Sequence, residues 1–154
     1  EFFRASLRAC KALGKRAILL SSHTQGLAQE QADVISLDYA PLGQLLPHCA
    51  AIVHHGGIGT IARAMAEATP QLIVPISNDQ PANAREAKRL GVALVATANQ
   101  YADDPAGMLA SLLQSREVKA ACDSWARRLR SEQDFSQAVA ACERLLRGPR
   151  RNGV

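Results

Sequence analysis

Short apolar runs alternate with amphipathic segments over the first 96 residues of the chain. Runs of this length are typical of strands that are buried on both faces, and the segments between them repeat their apolar residues at helical spacing. Strands are predicted over residues 17–21, 34–37, 51–53, 72–74 and 92–96. Helices are predicted over residues 2–13, 23–29, 42–46, 58–68, 80–90, 105–113, 117–129 and 135–146.

This order of elements predicts a doubly wound α/β domain, in which a Rossmann-like parallel sheet has helices on both faces. The chain begins with a helix whose apolar face needs a sheet. Residues 1–147 are therefore expected to form one domain that lacks its first strand, and residues 148–154 a flexible tail. Ligands bind at the carboxyl ends of such strands, so residues 21–22, 54–55 and 76–80 are expected to converge on one crevice.

The composition excludes several classes of protein. The 154 residues are 47% hydrophobic, which argues against disorder, and no apolar run reaches the ~18 residues of a membrane span. No signal-peptide pattern opens the sequence. The four cysteines form no C-x-x-C pair, which favours reduced, buried thiols in a cytoplasmic protein over disulfides or zinc.

The net charge of +4 comes from the C-terminal part of the chain. Residues 1–115 hold nine basic and nine acidic side chains, whereas residues 116–154 hold nine and five, a difference of four. Aromatic residues make up only 4% of the chain, too few for the stacking platforms of a nucleic-acid surface. The terminal cluster Arg147, Arg150 and Arg151 is therefore interpreted as a solvated tail, and no nucleic-acid partner is expected.

The strongest chemical signal is a glycine-rich turn after the third predicted strand, His54-His55-Gly56-Gly57-Ile58-Gly59-Thr60. Glycines let backbone N–H groups approach a ligand, and the positive end of the following helix favours negative charge, so the turn predicts a phosphate site. Side chains alternate along a strand, and His55, next to the glycines, is the histidine expected to face the phosphate. His54 is then expected to pack. The alternatives are two core histidines or, less favoured, a zinc ligand.

The turn also resembles two nucleotide-binding motifs in part. It lacks the Gly-Lys-Ser/Thr of a P-loop, so a nucleoside triphosphatase is disfavoured. Residues 57–62 match G-x-G-x-x-A, and Asp79 lies 20 residues beyond Gly59, which leaves a dinucleotide-dependent oxidoreductase as an alternative. Against it, Asp79 follows Pro75 in a loop, whereas a ribose-binding Asp closes a strand directly.

Asp79 and Gln80 begin the fifth predicted helix. Asp79 has one ordinary structural explanation, because Asp is a preferred N-cap residue. The pair also suits two neighbouring sugar hydroxyls, since the carboxylate accepts from both and the amide donates and accepts. Asn83, one turn on, either extends this network or packs. The sequence leaves these alternatives open.

Three segments together resemble the donor-binding signature of family 1 glycosyltransferases, which are nucleotide-sugar enzymes of two-domain GT-B architecture. The segments are Val53-His54-His55-Gly56-Gly57-Ile58-Gly59-Thr60, Pro70-Gln71-Leu72-Ile73-Val74-Pro75 and Asp79-Gln80-Pro81-Ala82-Asn83-Ala84. Upstream, residues 39–47 resemble the bacterial branch, which modifies lipids, sterols and macrolides. The likeness covers nearly the whole chain and implies the C-terminal half of such an enzyme.

The resemblance implies a role for each matching residue. His55, Gly57, Gly59 and Thr60 match the groups that contact the donor diphosphate, Asp79 and Gln80 match the pair that holds the sugar hydroxyls, and Tyr39, Ala40 and Leu42 match the base-binding segment. The chain also departs from the family. Tyr39 and Leu42 replace a tryptophan and a glutamine of plant members, Arg63 replaces a ribose-binding glutamate, and Ala68 stands where glycine is usual.

The implied reaction is an inverting transfer of a sugar from UDP or dTDP to a small-molecule or lipid acceptor, without metal or cofactor. The family's acceptor base belongs to its N-terminal half, so no catalytic residue is expected in this chain. The chain alone is expected to bind donor weakly and to catalyse nothing. A non-catalytic subunit of a split glycosyltransferase is the alternative.

Overall fold

The computed structural model describes residues 1–22, 24–28, 32–131 and 136–147. Its strands are β1 (Ala17–Leu20), β2 (Val34–Leu37), β3 (Ile52–His54), β4 (Gln71–Ile73) and β5 (Ala93–Val95). Its helices are α1 (Phe2–Ala12), α2 (Gln25–Ala28), α3 (Leu42–Leu45), α4 (Ile58–Ala66), α5 (Gln80–Arg89), α6 (Ala98–Asp103), α7 (Pro105–Gln114), α8 (Arg116–Ser131) and α9 (Ser136–Arg147). A single 3₁₀ turn, Leu46–His48, follows α3.

All the strand pairs within the described residues are parallel, as the alternation of strands and helices predicts. Ala17 pairs with Val34 in one sheet. In the second sheet, β4 lies between β3 and β5, with Ile52 opposite Gln71 and Gln71 opposite Ala93. The structure differs from the expectation of one continuous sheet, because β1–β2 and β3–β4–β5 are separate. The expectation that the domain's first strand lies outside the chain stays a prediction.

Three helices end in the same backbone motif. A residue in the left-handed conformation follows the helix, and its N–H group and that of the next residue donate to carbonyls of the last helical turn. Gly14 and Gly91 hold this position after α1 and α5, with φ of 60° and 76°. After α4 the position is held by Ala68, with φ of 55°. The Thr69 amide then donates to the Ala64 carbonyl at 2.9 Å. A Cβ is sterically disfavoured in this conformation, which explains why glycine is the usual residue there.

The core lies around β4, whose three residues are all buried. Helix α1 packs against α6 and α7, and α7 contacts β4. Helix α4 packs against α8 and α3, and helix α5 packs against β5. No helix among the described residues is long and apolar enough to cross a membrane.

Most predicted elements are present, with ends that differ by one or two residues. Helix α6 was not predicted; its N-cap is Thr97, which forms a capping box with Gln100. Of the helix predicted over residues 23–29, the structure has Gln25–Ala28, and residues 23 and 29 lie outside the described residues. Residue 135 and the predicted tail, 148–154, also lie outside them.

Candidate functional site

The turn between β3 and α4 is built around Gly56. Its φ is 92°, and a Cβ placed there would lie 2.9 Å from Ile73 Cγ2 and 3.3 Å from the Gln80 carbonyl oxygen. Glycine is therefore required at this position for two independent reasons, conformation and space. The close approach also shows that the turn lies directly against the start of α5, so the predicted phosphate-binding and sugar-binding segments are neighbours.

His54 packs into this turn, as predicted for the histidine that faces away from the ligand. Its Nδ1 accepts a hydrogen bond from the Gly56 N–H at 3.0 Å, so the proton of the neutral ring is on Nε2. Nε2 then donates to Gln71 Oε1 at 3.1 Å. Burial lowers the pKa of His54 to about 4, and the hydrogen bond to Gln71 opposes this shift only in part. His54 is thus a neutral, oriented support for the glycine turn.

His55 occupies the opposite side of the strand end. Its ring lies 4.5 Å from the Phe2 ring, centroid to centroid, at the start of α1. Its Nδ1 is 3.3 Å from the Val74 carbonyl oxygen. A carbonyl only accepts, so Nδ1 carries a proton, and Nε2 can donate to a further group only when the ring is protonated on both nitrogens. Nε2 is then an acceptor in the neutral ring and a donor in the imidazolium.

Three of the four predicted phosphate-binding residues, Gly57, Gly59 and Thr60, lie at the N-terminus of α4. Gly57 is the N-cap residue and makes no side-chain cap, while Gly57 and Gly59 are exposed. The N–H groups of the first helical residues have no intrahelical partner, which is the usual basis of an anion site. Thr60 differs from the expectation in one respect. Its backbone N–H already donates to the Gly57 carbonyl at 3.0 Å, so its hydroxyl is the group that remains for a ligand.

Asp79 stands at the N-cap of α5, but its side chain makes no cap hydrogen bond. Its Oδ2 instead accepts from Asn83 Nδ2 at 2.7 Å. The same nitrogen is 3.2 Å from the Gly56 carbonyl oxygen. The structure therefore does not support the alternative in which Asp79 is only a side-chain cap. Asn83 instead links the Asp79 carboxylate to the Gly56 carbonyl, between the two halves of the site.

Gln80 closes the loop that precedes α5. Its Oε1 accepts from the N–H groups of Ile76 and Ser77 at 2.9 and 3.2 Å. This amide was expected both to donate to a ligand and to accept from it. Because the loop occupies Oε1, only Nε2 remains, and it can donate to a ligand. Asp79 is exposed and Gln80 is half-buried, so both residues reach the surface at the start of α5.

The predicted base-binding segment follows β2 and enters α3. Tyr39 is 80% exposed, which leaves its ring available for stacking, and Ala40 and Leu42 are half-buried. Helix α3 packs against α4, and a Cβ on Gly43 would lie 3.3 Å from Arg63 Nη1. The Arg63 guanidinium therefore covers the start of α3, with Glu67 Oε1 3.5 Å away. The structure brings this segment beside the helix that carries the glycine turn.

Metal ligation has no support in the part of the chain that the structure describes. No group of three or more His, Cys, Asp or Glu side chains there could hold a metal ion. All four cysteines are free thiols, and burial raises the pKa of Cys122 to about 11. The expectation of a metal-free donor site stays an expectation.

Sequence reasoning did not foresee the structural roles of Gly56 and Gln71. Gly56 belongs to the turn whose N–H groups were expected to approach a phosphate, but its N–H donates to His54 instead. The sequence does not indicate which of the three nearby glycines has the positive φ. Gln71 had a signal that was not used. A glutamine at the start of an apolar strand needs a polar partner, and in the structure it is fully buried against His54.

Comparison with known proteins places the chain in a defined family. A family model described as erythromycin biosynthesis protein CIII-like, C-terminal domain, matches residues 11–145. The chain is 34% identical over 141 residues to an aklavinone 7-beta-L-rhodosaminyltransferase of Streptomyces galilaeus, covering 87% of this chain and 32% of the relative. It is 33% identical over 123 residues to an aclacinomycin-T 2-deoxy-L-fucose transferase of the same organism, covering 78% and 28%. The chain thus spans less than a third of these relatives.

Solved structures agree with the sequence matches. The glycosyltransferase VinC, in complex with dTDP, superposes with a TM-score of 0.78 at 30% sequence identity. The superposition covers 91% of this chain and 36% of VinC. These comparisons do not favour the oxidoreductase or the non-catalytic subunit.

Proposed function

The chain belongs to the family of erythromycin biosynthesis protein CIII-like C-terminal domains, in the bacterial branch of family 1 glycosyltransferases, and we propose that it is the donor-binding half of an inverting glycosyltransferase. The observation that carries the proposal is the juxtaposition of the α4 N-terminus with Asp79 and Asn83 across the Gly56 peptide. An anion-binding helix end beside an exposed carboxylate suits a ligand with a diphosphate at one end and hydroxyl groups at the other.

The diphosphate is held at the start of α4 in this proposal. The N–H groups of Gly57 and Gly59, together with the Thr60 hydroxyl, donate to its oxygens. As the bond to the anomeric carbon breaks, negative charge grows on the leaving phosphate, so donors aimed there stabilise the transition state more than the ground state. The chain's contribution to catalysis is then electrostatic, and it holds no acceptor base.

His55 meets the diphosphate through Nε2 in the same proposal. Its Nδ1 is 3.3 Å from the Val74 carbonyl oxygen, which leaves Nε2 for a phosphate oxygen. A charge-assisted hydrogen bond to a phosphate is worth about 1.5–3 kcal/mol. Removal of the His55 side chain is therefore expected to weaken diphosphate binding.

The sugar and the base of the donor are assigned to the remaining predicted residues from where those residues lie. Asp79 and the Nε2 of Gln80 meet the sugar hydroxyls, and Tyr39, Ala40 and Leu42 meet the base. We propose dTDP as the nucleotide ahead of UDP, because the similar VinC structure holds dTDP. We propose a hexose or deoxyhexose as the sugar, because one relative is named as a 2-deoxy-L-fucose transferase.

Acceptor binding and its base are assigned to an N-terminal half, which lies beyond this chain. The chain alone is expected to bind donor and to transfer nothing, and detectable glycosyl transfer by the chain alone would contradict this. A cytoplasmic location belongs to the same proposal and rests on the four free thiols.

Thermal-shift and calorimetric titrations with dTDP, UDP, GDP, dTDP-glucose, UDP-glucose and NAD test the proposal. A ligand at a hundredfold excess over its dissociation constant adds about 2.7 kcal/mol of stability, which corresponds to roughly 5–10 °C in a chain of this size. A shift with dTDP or UDP and none with NAD is expected. The reverse pattern would support the oxidoreductase, and no shift with any nucleotide would refute the proposal.

The variant His55→Ala locates the ligand. Loss of the hydrogen bond to the phosphate is expected to raise the Kd of dTDP about 10- to 100-fold. His48→Ala is the matched control, because His48 is exposed on the 3₁₀ turn after α3. An equal loss in both variants would contradict the role given to His55.

A further inference from the structure

The Gly56 peptide is held from both sides. Its N–H donates to His54 Nδ1 at 3.0 Å, and its carbonyl oxygen accepts from Asn83 Nδ2 at 3.2 Å. Its Cα has no room to move toward the sheet, since a Cβ there would lie 2.9 Å from the buried Ile73. The peptide is therefore a fixed point between the end of β3 and the first turn of α5.

Asn83 also holds the carboxylate of Asp79. The Nδ2 to Oδ2 distance of 2.7 Å is that of a strong, charge-assisted hydrogen bond. A primary amide has two hydrogens on its nitrogen, and these two contacts use both. One side chain thus joins the Gly56 carbonyl to the Asp79 carboxylate and leaves Oδ1 of Asp79 to face outward.

We infer that Asn83 is a positioning residue that fixes the sugar-binding carboxylate of Asp79 at a set distance from the diphosphate-binding turn, through the hydrogen bonds that it donates to Asp79 and Gly56. The inference rests on the proposed function. A sugar diphosphate is held at both ends, so its affinity depends on the separation of the two groups that hold it. Asp79 is exposed, and without Asn83 its side chain must lose rotamer freedom when the sugar binds.

The inference predicts a specific pattern of affinities. Calorimetry gives the Kd of dTDP and of dTDP-glucose for each variant of the chain, and their ratio isolates the contribution of the sugar. In Asn83→Ala, the Kd of dTDP-glucose is expected to rise up to about tenfold relative to that of dTDP, because the Asp79 side chain must then lose its rotamer freedom when the sugar binds. The Kd of dTDP alone is expected to change less than about threefold, because it makes no contact with Asp79.

A double-mutant cycle separates positioning from general support of the fold. If Asn83 acts through Asp79, adding Asn83→Ala to Asp79→Ala changes the ratio of the two Kd values by less than about twofold. A merely structural role would weaken both ligands alike, with or without Asp79. Asn99→Ala is the matched control, since Asn99 is exposed in the first turn of α6. Circular dichroism melts confirm that each variant is folded, and alanine favours the helix at position 83.

The outcomes distinguish this inference from the proposed function. If the wild-type chain binds no nucleotide at all, the proposed function fails, and the inference fails with it. If the chain binds dTDP and dTDP-glucose but Asn83→Ala leaves their ratio unchanged, only the inference is overturned. A chain that binds dTDP and not dTDP-glucose overturns it as well, because the diphosphate and sugar sites are then not joined.

Discussion

Gly56→Ala is predicted to be the most damaging single substitution in the glycine turn. The residue has a φ of 92°, and an added Cβ would lie 2.9 Å from Ile73 Cγ2 and 3.3 Å from the Gln80 carbonyl oxygen. Neither neighbour moves easily. Ile73 is a β-branched residue of β4 with no exposed surface, and the Gln80 oxygen belongs to the backbone of α5.

The magnitude follows from two costs. A non-glycine residue in a left-handed conformation costs roughly 1–2 kcal/mol. Adding a carbon to a packed site costs typically about 1–3 kcal/mol more. The free energy of unfolding is therefore expected to fall by about 2–4 kcal/mol, since partial relaxation of the turn offsets some of the sum. In a chain of this length that corresponds to a decrease in Tm of roughly 5–15 °C.

Urea unfolding followed by circular dichroism measures the loss, and the same turn supplies two controls. Gly57 and Gly59 have open space around the position of a Cβ, and neither has a positive φ. Gly57→Ala is expected to cost only about 0.5–1 kcal/mol, since Gly57 is the N-cap and alanine is a poorer N-cap than glycine. Gly59→Ala, inside α4, is expected to gain up to about 1 kcal/mol of helix propensity. Both controls keep the backbone N–H but add a Cβ where the phosphate approaches in the proposal, so both are expected to weaken dTDP binding.

The reasoning is refuted if Gly56→Ala is as stable as Gly57→Ala. That result would mean that the turn adopts a conformation without the positive φ. The hydrogen bond that the Gly56 N–H donates to His54 and the one that its carbonyl accepts from Asn83 would then be absent. If all three alanine variants lose the same stability, the loss would reflect general flexibility of the turn and not the contacts of one glycine.

Two further predictions concern stability. Ala68→Gly is expected to raise the free energy of unfolding by about 1 kcal/mol, because it removes a Cβ from a residue with φ of 55°. Urea unfolding measures the change. The control Ala66→Gly, within α4, should lower the free energy of unfolding. His54 has a pKa of about 4 in the folded chain, against an ordinary value of 6.5. Between these two pH values the unfolded chain binds more protons than the folded chain. The free energy of unfolding should therefore fall by up to about 3 kcal/mol as the pH drops from 6.5 toward 4. Unfolding at several pH values should show a shallower slope from 6.5 to 5 in His54→Gln, and an unchanged slope would refute the assignment.

Much of the fold is predictable because its elements have clear periodicity and clear ends. Glycine follows α1 and α5 at positions 14 and 91, where the structure has left-handed residues, and glycine is a usual signal for a helix end. Helix α6 was missed because its sequence, Ala98–Asp103, has little apolar pattern, and its strongest signal is the capping pair Thr97 and Gln100. The division into two sheets depends on which strands are adjacent, which periodicity within one strand does not encode.

The site is predictable to the level of segments and not of individual hydrogen bonds. Alternation along β3 correctly separates the environments of His54 and His55. This alternation does not reveal the hydrogen bond from His54 to Gln71, which lies 17 positions later. Nor does it reveal the hydrogen bond from Asn83 to Gly56, which lies 27 positions earlier. These contacts depend on how β4 and α5 are placed beside the turn, so they follow from the tertiary structure. The same holds for Gln80, whose amide oxygen is taken by the loop that precedes it.

The described helices begin in two ways. At the starts of α6, α7 and α8, backbone N–H groups donate hydrogen bonds to the side chains of Thr97, Asp104 and Ser115. The N-cap residues of α1, α3, α4 and α5 accept no such bond, although Asp79 is chemically able to cap α5.

Helix α4 shows the contrast within one element. Its C-terminal carbonyls are met by the Thr69 amide and, at 3.4 Å, by Arg130, which also suits the negative end of the helix dipole. At its start, the glycine N-cap offers no side-chain acceptor to the N–H groups of the first two helical residues. A missing side-chain cap costs about 1 kcal/mol, and in the proposal the diphosphate takes its place at this helix start.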